Sequence, residues 1–254
     1  MDLNFQVLKE PRGFIRVIQF VMSVFAFATT SGFSTSATFK VCDKAYLATF
    51  SFGYPFRMSY FPFNVPTICP SNMMEIQTKS VVLPYNFASN PEFFVATGVL
   101  SFLYCIGILG VYIFCNKMYT ENQTTPIVDL GLSCLLALFW FAGSSAWAQG
   151  VRDVKYYTDP AVFMKLLEIC GNASNKCTSE STGNFATLNV SLILGFANFL
   201  LWVAGCWFVF KETSFHGQHP PPQGVAAPQY PPVNSQYPPQ SPPPVQSPTF
   251  GTQY

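Results

Sequence analysis

Eight cysteines are the residues of this sequence best suited to chemistry, and four of them form two pairs between long apolar runs. Cys42 and Cys69 lie between the first and second runs, and Cys170 and Cys177 lie between the third and fourth. An even number of cysteines in each connecting loop predicts one disulfide per loop, formed on a lumenal or extracellular face. In the chain-entropy description the longer ring would contribute about 3 to 4 kcal/mol and the shorter about 2 to 3 kcal/mol.

Zinc binding is the alternative use of such cysteines, and the sequence argues against it. No Cys-x-x-Cys spacing occurs, and the two histidines, His216 and His219, lie in the carboxyl-terminal segment, away from both pairs. Motifs of metalloproteases, hydrolases with a serine elbow and phosphate-binding loops are also missing. We therefore predict a protein that is not an enzyme, with no catalytic residue, metal site or cofactor.

Four apolar runs frame these loops, and each is long enough to cross a bilayer. Half of the residues are hydrophobic and a tenth are charged, and a hydrocarbon core of roughly 30 Å takes about 20 helical residues. The predicted spans are residues 14–33, 93–114, 127–147 and 190–210. The other predicted segments are an amino terminus (1–13), two long loops (34–92 and 148–189) and a tail (214–254). The fold class is thus an all-α transmembrane four-helix bundle.

The first run has a second interpretation as a cleaved signal peptide. Lys9 and Arg12 would form its basic region, and Ala26-Phe27-Ala28 would supply the cleavage site. Cleavage would leave three spans and a lumenal amino terminus. The intact mass of the mature protein distinguishes the two interpretations.

Positive charges orient the spans only weakly. Basic residues near the amino terminus favour a cytosolic start, whereas Arg152 and Lys155, just after the third span, favour the opposite. The cysteine pairs decide the question, because they place both long loops on the oxidising side and both termini in the cytosol. Asn172 begins a glycosylation sequon in the second loop, on the same side. A glycan on Asn122 instead would invert this topology.

Inside the spans we expect no charged residue near the bilayer centre, since Glu92 and Asp129 stand at span starts. Proton relays and ion pathways usually need ionisable groups within the membrane, so a pump or transporter is disfavoured. Small residues at Gly107, Gly110 and 143–146 predict close helix contacts, either within the bundle or between subunits.

The first loop contains a strict alternation of large apolar and smaller residues from Phe50 to Tyr60. This predicts a strand with one aromatic face, an edge or bulge at Pro55, and a partner strand within 74–83. Two interpretations remain for the aromatic face. Either it packs on the disulfide and the helix ends as a small lumenal β element, or it is exposed and contacts a partner protein or lipid headgroups.

The tail contains twelve prolines between Pro220 and Pro248. Such a segment cannot bury a core, which predicts a disordered cytosolic tail of polyproline II character. Tyr230 and Val233 fit the loose tyrosine-x-x-bulky pattern of endocytic sorting signals. Cys115, at the cytosolic end of the second span, is a candidate for palmitoylation, whereas the remaining span cysteines are interpreted as small buried hydrophobic residues.

Several motifs, in this order along the chain, resemble the synaptophysin family over roughly residues 7 to 215. They are Lys9-Glu10-Pro11, Gly13-Phe14-Ile15, Phe25-Ala26-Phe27-Ala28-Thr29, Tyr54-Pro55-Phe56-Arg57, Glu92-Phe93-Phe94-Val95, Phe102-Leu103-Tyr104, Ser144-Ser145-Ala146-Trp147-Ala148, Leu188-Asn189 and Trp207-Phe208-Val209-Phe210-Lys211-Glu212-Thr213. Departures occur at Thr30, Gln149 and Cys206. The tail lacks long Tyr-Gly-Gln repeats, so the sequence is most similar to the synaptophysin-like, or pantophysin, branch, with the muscle triad-junction relative also fitting.

This resemblance implies a MARVEL-type four-helix bundle, cytosolic termini and residence in small transport, secretory or synaptic vesicles. It also implies binding of cholesterol, self-association and a role in exocytosis beside synaptobrevin-type fusion proteins, and it argues against the signal peptide. We therefore expect a non-enzymatic vesicle membrane protein that organises lipid and partner proteins. The alternative is an oligomeric membrane channel with Ser144 or Ser145 facing its pore.

Overall fold

Four long helices form the body of the protein. The computed structural model describes residues 5–44, 46–69, 76–116, 119, 122, 124–172 and 175–213. The long helices are α1 (Pro11–Ser31), α2 (Ser89–Phe114), α3 (Thr124–Tyr157) and α4 (Ala186–Glu212). Each is long and apolar enough to cross a membrane. They coincide with the four predicted spans, with different ends.

The ends of the helices follow from local sequence. Pro11 begins α1, where its missing N–H removes no helical hydrogen bond, and a 3₁₀ turn at Phe5–Lys9 folds back against the helix. Gly13 allows this close approach, because a β-carbon there would collide with the carbonyl of Val7. At about 1.5 Å per residue, α3 is about 51 Å long and exceeds the hydrocarbon core by about 20 Å. Residues 148–157, predicted as loop, are therefore its helical extension.

The buried positions of α4 recur every three or four residues, which is the spacing of a bundle seam. They are Leu188, Ser191, Gly195, Asn198, Trp202, Gly205 and Val209. Several are polar, as are buried residues of the other three helices. Tryptophan rings fill the interior, and two of them donate to serine hydroxyls: Trp140 to Ser101 over 2.9 Å and Trp147 to Ser191 over 3.0 Å. The bundle is thus polar and aromatic inside.

The small residues contribute unequally to helix packing. A β-carbon on Gly195 would lie 2.5 Å from Ser144 Oγ and 2.6 Å from the ring of Phe94, whereas one on Gly107 or Gly110 would have no neighbour within 4 Å. Gly195 is therefore required for the contact between α3 and α4. Gly107 and Gly110 are not packed within the bundle, so the close contacts predicted for them inside it are not formed.

Gly195→Ala should lower the melting temperature of the purified protein, because overpacking costs about 1 to 3 kcal/mol, more than the roughly 1 kcal/mol of helix propensity that alanine gains. Gly107→Ala is the matched control and should cause no loss. Both are measured by thermal unfolding in one detergent. Equal destabilisation by the two variants would show that the α3–α4 seam is not closely packed at Gly195.

A second layer, the β domain, comprises the described residues of 34–87 and 158–185. Strands β1 (Ser34–Val41) and β2 (Tyr46–Gly53) form an antiparallel hairpin, and β5 (Thr178–Ser181) pairs with the other edge of β1. Strands β3 (Phe63–Pro66) and β4 (Thr78–Val81) form a separate antiparallel pair. The sheet order β2-β1-β5 joins the two long loops into one unit. The prediction of an all-α bundle with a small disulfide-bonded β element therefore holds for the helices, and the strands are more extensive than it anticipated.

An aromatic core holds the β domain on the helices. Phe50 contacts Phe63 and Phe163 at ring-centroid distances of 5.1 and 5.6 Å. Phe56 lies 5.3 Å from the ring of Trp147 on α3, and both side chains are fully buried. Of the two interpretations of the aromatic face, packing on the helix ends is the one that the structure supports.

The predicted strand was placed too late in the chain. It runs from Tyr46 to Gly53, and the chain leaves the sheet at Tyr54–Pro55. The apolar alternation continues beyond this point because two further side chains are buried outside the strand. Phe56 follows a turn, and Met58 lies in a 3₁₀ segment. The partner prediction was also wrong, since β4 within 74–83 pairs with β3 and not with β2.

Candidate functional site

An ion pair lies inside the bundle, about one and a half turns from the helix ends. Arg16 on α1 donates through Nη2 to Oδ1 of Asp129 on α3 over 2.6 Å, and the two side chains are 0% and 1% exposed. Two charges buried this deeply are costly unless each is paired and hydrogen-bonded. Their further contacts therefore decide what the pair does.

Hydroxyl donors surround the Asp129 carboxylate. Tyr104 donates to Oδ1, while Tyr112 and Tyr119 donate to Oδ2, the last over 3.0 Å. Arg16 also donates to Oδ1, and Ser133 Oγ is a third donor to that oxygen at 3.3 Å, so the roughly four acceptor positions of an ionised carboxylate are filled. The carboxylate is satisfied by protein groups from three parts of the chain.

Arg16 is held by several contacts, although its buried Nε has no hydrogen-bond partner. Its Nη1 donates to Oε1 of Gln19 over 2.9 Å, and its Nη2 also donates to Ser133 Oγ over 2.5 Å. The guanidinium carbon lies 5.4 Å from the ring centre of Tyr104 and 5.2 Å from that of Trp202. Cation–π contacts of this kind strengthen when they are shielded from water. The indole of Trp202 brings α4 into the same cluster.

Gln19 extends the cluster to the backbone of α4. Its Nε2 donates to the carbonyl of Leu201 over 3.0 Å, and a β-carbon on Gly205 would lie 2.6 Å from the same nitrogen. The Arg16 cluster is defined by Arg16, Gln19, Tyr104, Tyr112, Tyr119, Asp129, Ser133 and Trp202. It connects all four helices through hydrogen bonds and ring contacts.

Tyr119 enters the cluster from the segment between α2 and α3. Burial, and then the neighbouring Tyr112 and Asp129, raise the pKa of its phenol above the usual value. The hydroxyl therefore stays protonated and remains a donor. A second arginine, Arg12, lies over the rings of Tyr112 and Tyr119 at 5.7 and 5.4 Å.

Arg12 closes the end of the bundle. It pairs with Glu10 over 2.8 Å and with Glu212, the last residue of α4, over 3.3 Å. Its side chain is 9% exposed, while the two carboxylate side chains are about half exposed. The amino-terminal end of α1 is thereby fixed to the carboxyl-terminal end of α4.

The apolar runs do not predict this cluster. They place Asp129 at a span start without a partner, whereas the structure pairs it with Arg16, 113 residues earlier. The available signal was the presence of an arginine and an aspartate inside apolar runs, since intramembrane ionisable residues usually face the bundle interior and pair. The spacing of Arg16 to Gln19 and of Asp129 to Ser133 also places each pair on one helix face.

The cysteine pairs form disulfides, as the sequence predicts. Cys42 is bonded to Cys69 with a Cα–Cα distance of 5.3 Å, and Cys170 to Cys177 with 5.6 Å. Both bonds lie in the β domain. Asn172 is exposed within the smaller ring.

The other residues singled out from the sequence do not form one site. Cys115 is exposed directly after α2, and the sorting residues Tyr230 and Val233 lie outside the described residues. Cys105 is buried as predicted, but Cys134 is exposed, and its Sγ lies 3.5 Å from that of the partly buried Cys206. Among the residues that the structure describes, no group of three or more His, Cys, Asp and Glu side chains is placed to hold a metal ion.

The Arg16 cluster holds the four helices together: its charges face each other, and its carboxylate is fully hydrogen-bonded, whereas Nε of Arg16 and Nε1 of Trp202 are buried without an acceptor. Four membrane-crossing helices held in this way, with a disulfide-bonded β domain at one end, define an integral membrane protein. Residues 7–208 match the MARVEL family, which is described as a membrane-associating domain. The chain belongs to this family.

Proposed function

We propose that this MARVEL protein organises lipid and partner proteins in transport or secretory vesicles, as a member of the synaptophysin family and most similar to its pantophysin branch. The observation that carries the proposal is the division of polar and apolar groups in the bundle. Charged groups in the Arg16 cluster are paired inside it, while leucine, isoleucine and phenylalanine side chains cover its outside. Such a surface acts through contacts within the membrane.

The exposed apolar side chains supply these contacts. Leu138 and Phe141 on α3, and Ile193 and Leu200 on α4, are each more than half exposed. In a bilayer they face lipid or another protein, because only those surroundings satisfy them. Cholesterol, a second copy of the chain and synaptobrevin-type fusion proteins are the partners that we propose for these faces.

We propose further that the β domain is lumenal and that both termini are cytosolic. Support comes from its two disulfides, which persist in oxidising compartments. Asn172 is then the acceptor for a glycan.

Asn172→Gln should abolish the shift in gel mobility that a peptide N-glycosidase produces on protein from mammalian cells. Asn122→Gln, which also removes an exposed sequon asparagine, is the matched control and should leave the shift unchanged. If only the Asn122→Gln control lost the shift, the segment between α2 and α3 would be lumenal, and the proposed topology would be wrong. Absence of any shift in the wild type would show that Asn172 carries no glycan.

Vesicle residence is tested by affinity isolation of intact vesicles through an epitope at the carboxyl terminus, combined with proximity labelling from the same position. We expect small vesicles that contain synaptobrevin-type proteins, and capture of a photoreactive cholesterol analogue by the protein. A chain with both lumenal disulfides removed serves as a control for misfolded protein retained early in secretion. Recovery of only mitochondrial or nuclear neighbours would contradict the proposal.

The alternative function is an oligomeric channel, and one observation favours it. Ser145 is exposed on the outer face of α3, whereas Ser144 is buried inside the four-helix bundle of a single chain. A pore between subunits would therefore be lined by Ser145. Selective conductance of the purified protein in planar bilayers, altered by Ser145→Val and unaltered by Ser80→Ala in the β domain, would support the channel.

A further inference from the structure

An apolar groove runs along the seam of α1 and α4, beside the Arg16 cluster. Phe14, Ile18, Leu201 and Phe208 line it, and Lys9 stands at its end. Its volume is about 350 Å³, within the roughly 300 to 1,000 Å³ of ligand pockets in proteins. Phe14 is 57% exposed, so the groove opens outward, toward lipid in a membrane.

The groove ends in a charged mouth. A second cavity of about 310 Å³ adjoins it through Pro11 and Phe208, which line both. The charged side chains around the two cavities are Lys9, Glu10, Arg12, Lys211 and Glu212. Three are basic and two are acidic, so the mouth carries a net charge of +1.

The two lysines are the cations available to a ligand. Arg12 is paired with both carboxylates, at 2.8 Å to Glu10 and 3.3 Å to Glu212. In the described part of the chain, Lys9 and Lys211 form no ion pair, and the Nζ of Lys211 lies 5.5 Å from the ring centre of Trp207. A lysine at the end of a span extends its ammonium to the headgroup level of the bilayer.

We propose that this groove binds one glycerophospholipid with a net charge of −1, of the phosphatidylserine type. One acyl chain lies against Phe14, Ile18 and Leu201, and the phosphate accepts hydrogen bonds from Lys9 and Lys211. A headgroup of this charge neutralises the mouth, whereas a zwitterionic phosphatidylcholine leaves it positive. The site combines an apolar groove with two lysines that form no ion pair. A lipid can occupy both parts, whereas a soluble anion would contact only the lysines.

Native mass spectrometry of the full-length protein released from nanodiscs tests the site. The nanodiscs contain equal phosphatidylserine and phosphatidylcholine in both leaflets, so the result does not depend on the orientation of the protein. We expect the wild type to retain phosphatidylserine about fivefold over phosphatidylcholine at low salt, since two lysines near a surface attract anionic lipid and neighbouring carboxylates reduce the effect. The preference should fall as ionic strength rises.

Lys9→Gln combined with Lys211→Gln should abolish this preference. The matched control is Lys79→Gln with Lys165→Gln, which removes two exposed lysines of the β domain and should leave the preference unchanged. An undiminished preference in the first variant would overturn the proposal, and so would an equal loss in the control.

Leu201→Trp fills the groove while keeping both lysines, and should reduce retention of the lipid several-fold. Ile18→Trp on the opposite wall provides the same test if the first variant does not fold. Soluble glycerophosphoserine should not compete with the bound lipid, because it lacks the acyl chains. Displacement of the lipid by glycerophosphoserine or by added cholesterol would overturn the proposed occupant.

Discussion

Asp129→Asn is expected to destabilise the bundle by about 3 to 5 kcal/mol, because it leaves the buried guanidinium of Arg16 without its counter-charge. The amide keeps the size of the carboxylate but has one acceptor oxygen in place of two, so the tyrosine donors also lose partners. We expect a lower melting temperature and a smaller yield of monodisperse protein in detergent, both measured by size-exclusion chromatography after heating.

A surface ion pair supplies the control. Arg57 and Glu92 pair over 3.1 Å, but their side chains are 39% and 42% exposed, and solvent screening leaves exposed pairs of this kind with little effect on stability. Glu92→Gln should therefore have little effect. Replacing both buried partners, as Arg16→Met with Asp129→Leu, should recover part of the loss because no charge is left unpaired. Equal effects of Asp129→Asn and Glu92→Gln would show that the Arg16 cluster does not stabilise the bundle.

Removing the bond between Cys42 and Cys69 by serine substitution is expected to cost about 3 to 4 kcal/mol in the β domain. This bond closes a separation of 27 residues that contains β2 and β3, so its loss increases the conformational freedom of this segment in the unfolded chain. The expected result is faster cleavage within residues 34–87 by a protease added to the intact protein.

The second disulfide is the natural comparison for the first. Cys170 and Cys177 are separated by 7 residues, and a ring of this size contributes about 2 to 3 kcal/mol in the same description. Serine substitution of this pair should accelerate proteolysis less. A larger effect for the smaller ring would mean that loop closure does not govern the stability of the β domain.

The elements that the sequence predicts are those with a local or compositional signal. Apolar runs locate the four spans, and two cysteines per loop indicate the disulfides. The alternation of apolar side chains predicts a strand near β2, because period two is visible in sequence. The alternation cannot show where the strand ends. Phe56 and Met58 lie after the strand but are also buried, so they continue the spacing of apolar residues.

The remaining features depend on residues far apart in the chain. Strand β5 is polar and its residues are exposed, so only its pairing with β1 identifies it. The extension of α3 beyond the apolar run contains Arg152 and Asp153, and its inward residues Val151 and Val154 belong to the same buried cluster as aromatic residues of the β domain. The contact of Arg16 with Asp129 likewise exists only after two helices have met.

The separation of Arg16 and Asp129 has a consequence for biosynthesis. The partner of Arg16 is made 113 residues later, and at about 5 to 20 residues per second this takes roughly 6 to 20 s. During that interval the first helix carries a cation that no carboxylate neutralises. The nascent α1 should therefore remain near the polar interface or the insertion machinery until α3 arrives, so that the order of synthesis determines when the first span can settle in the membrane.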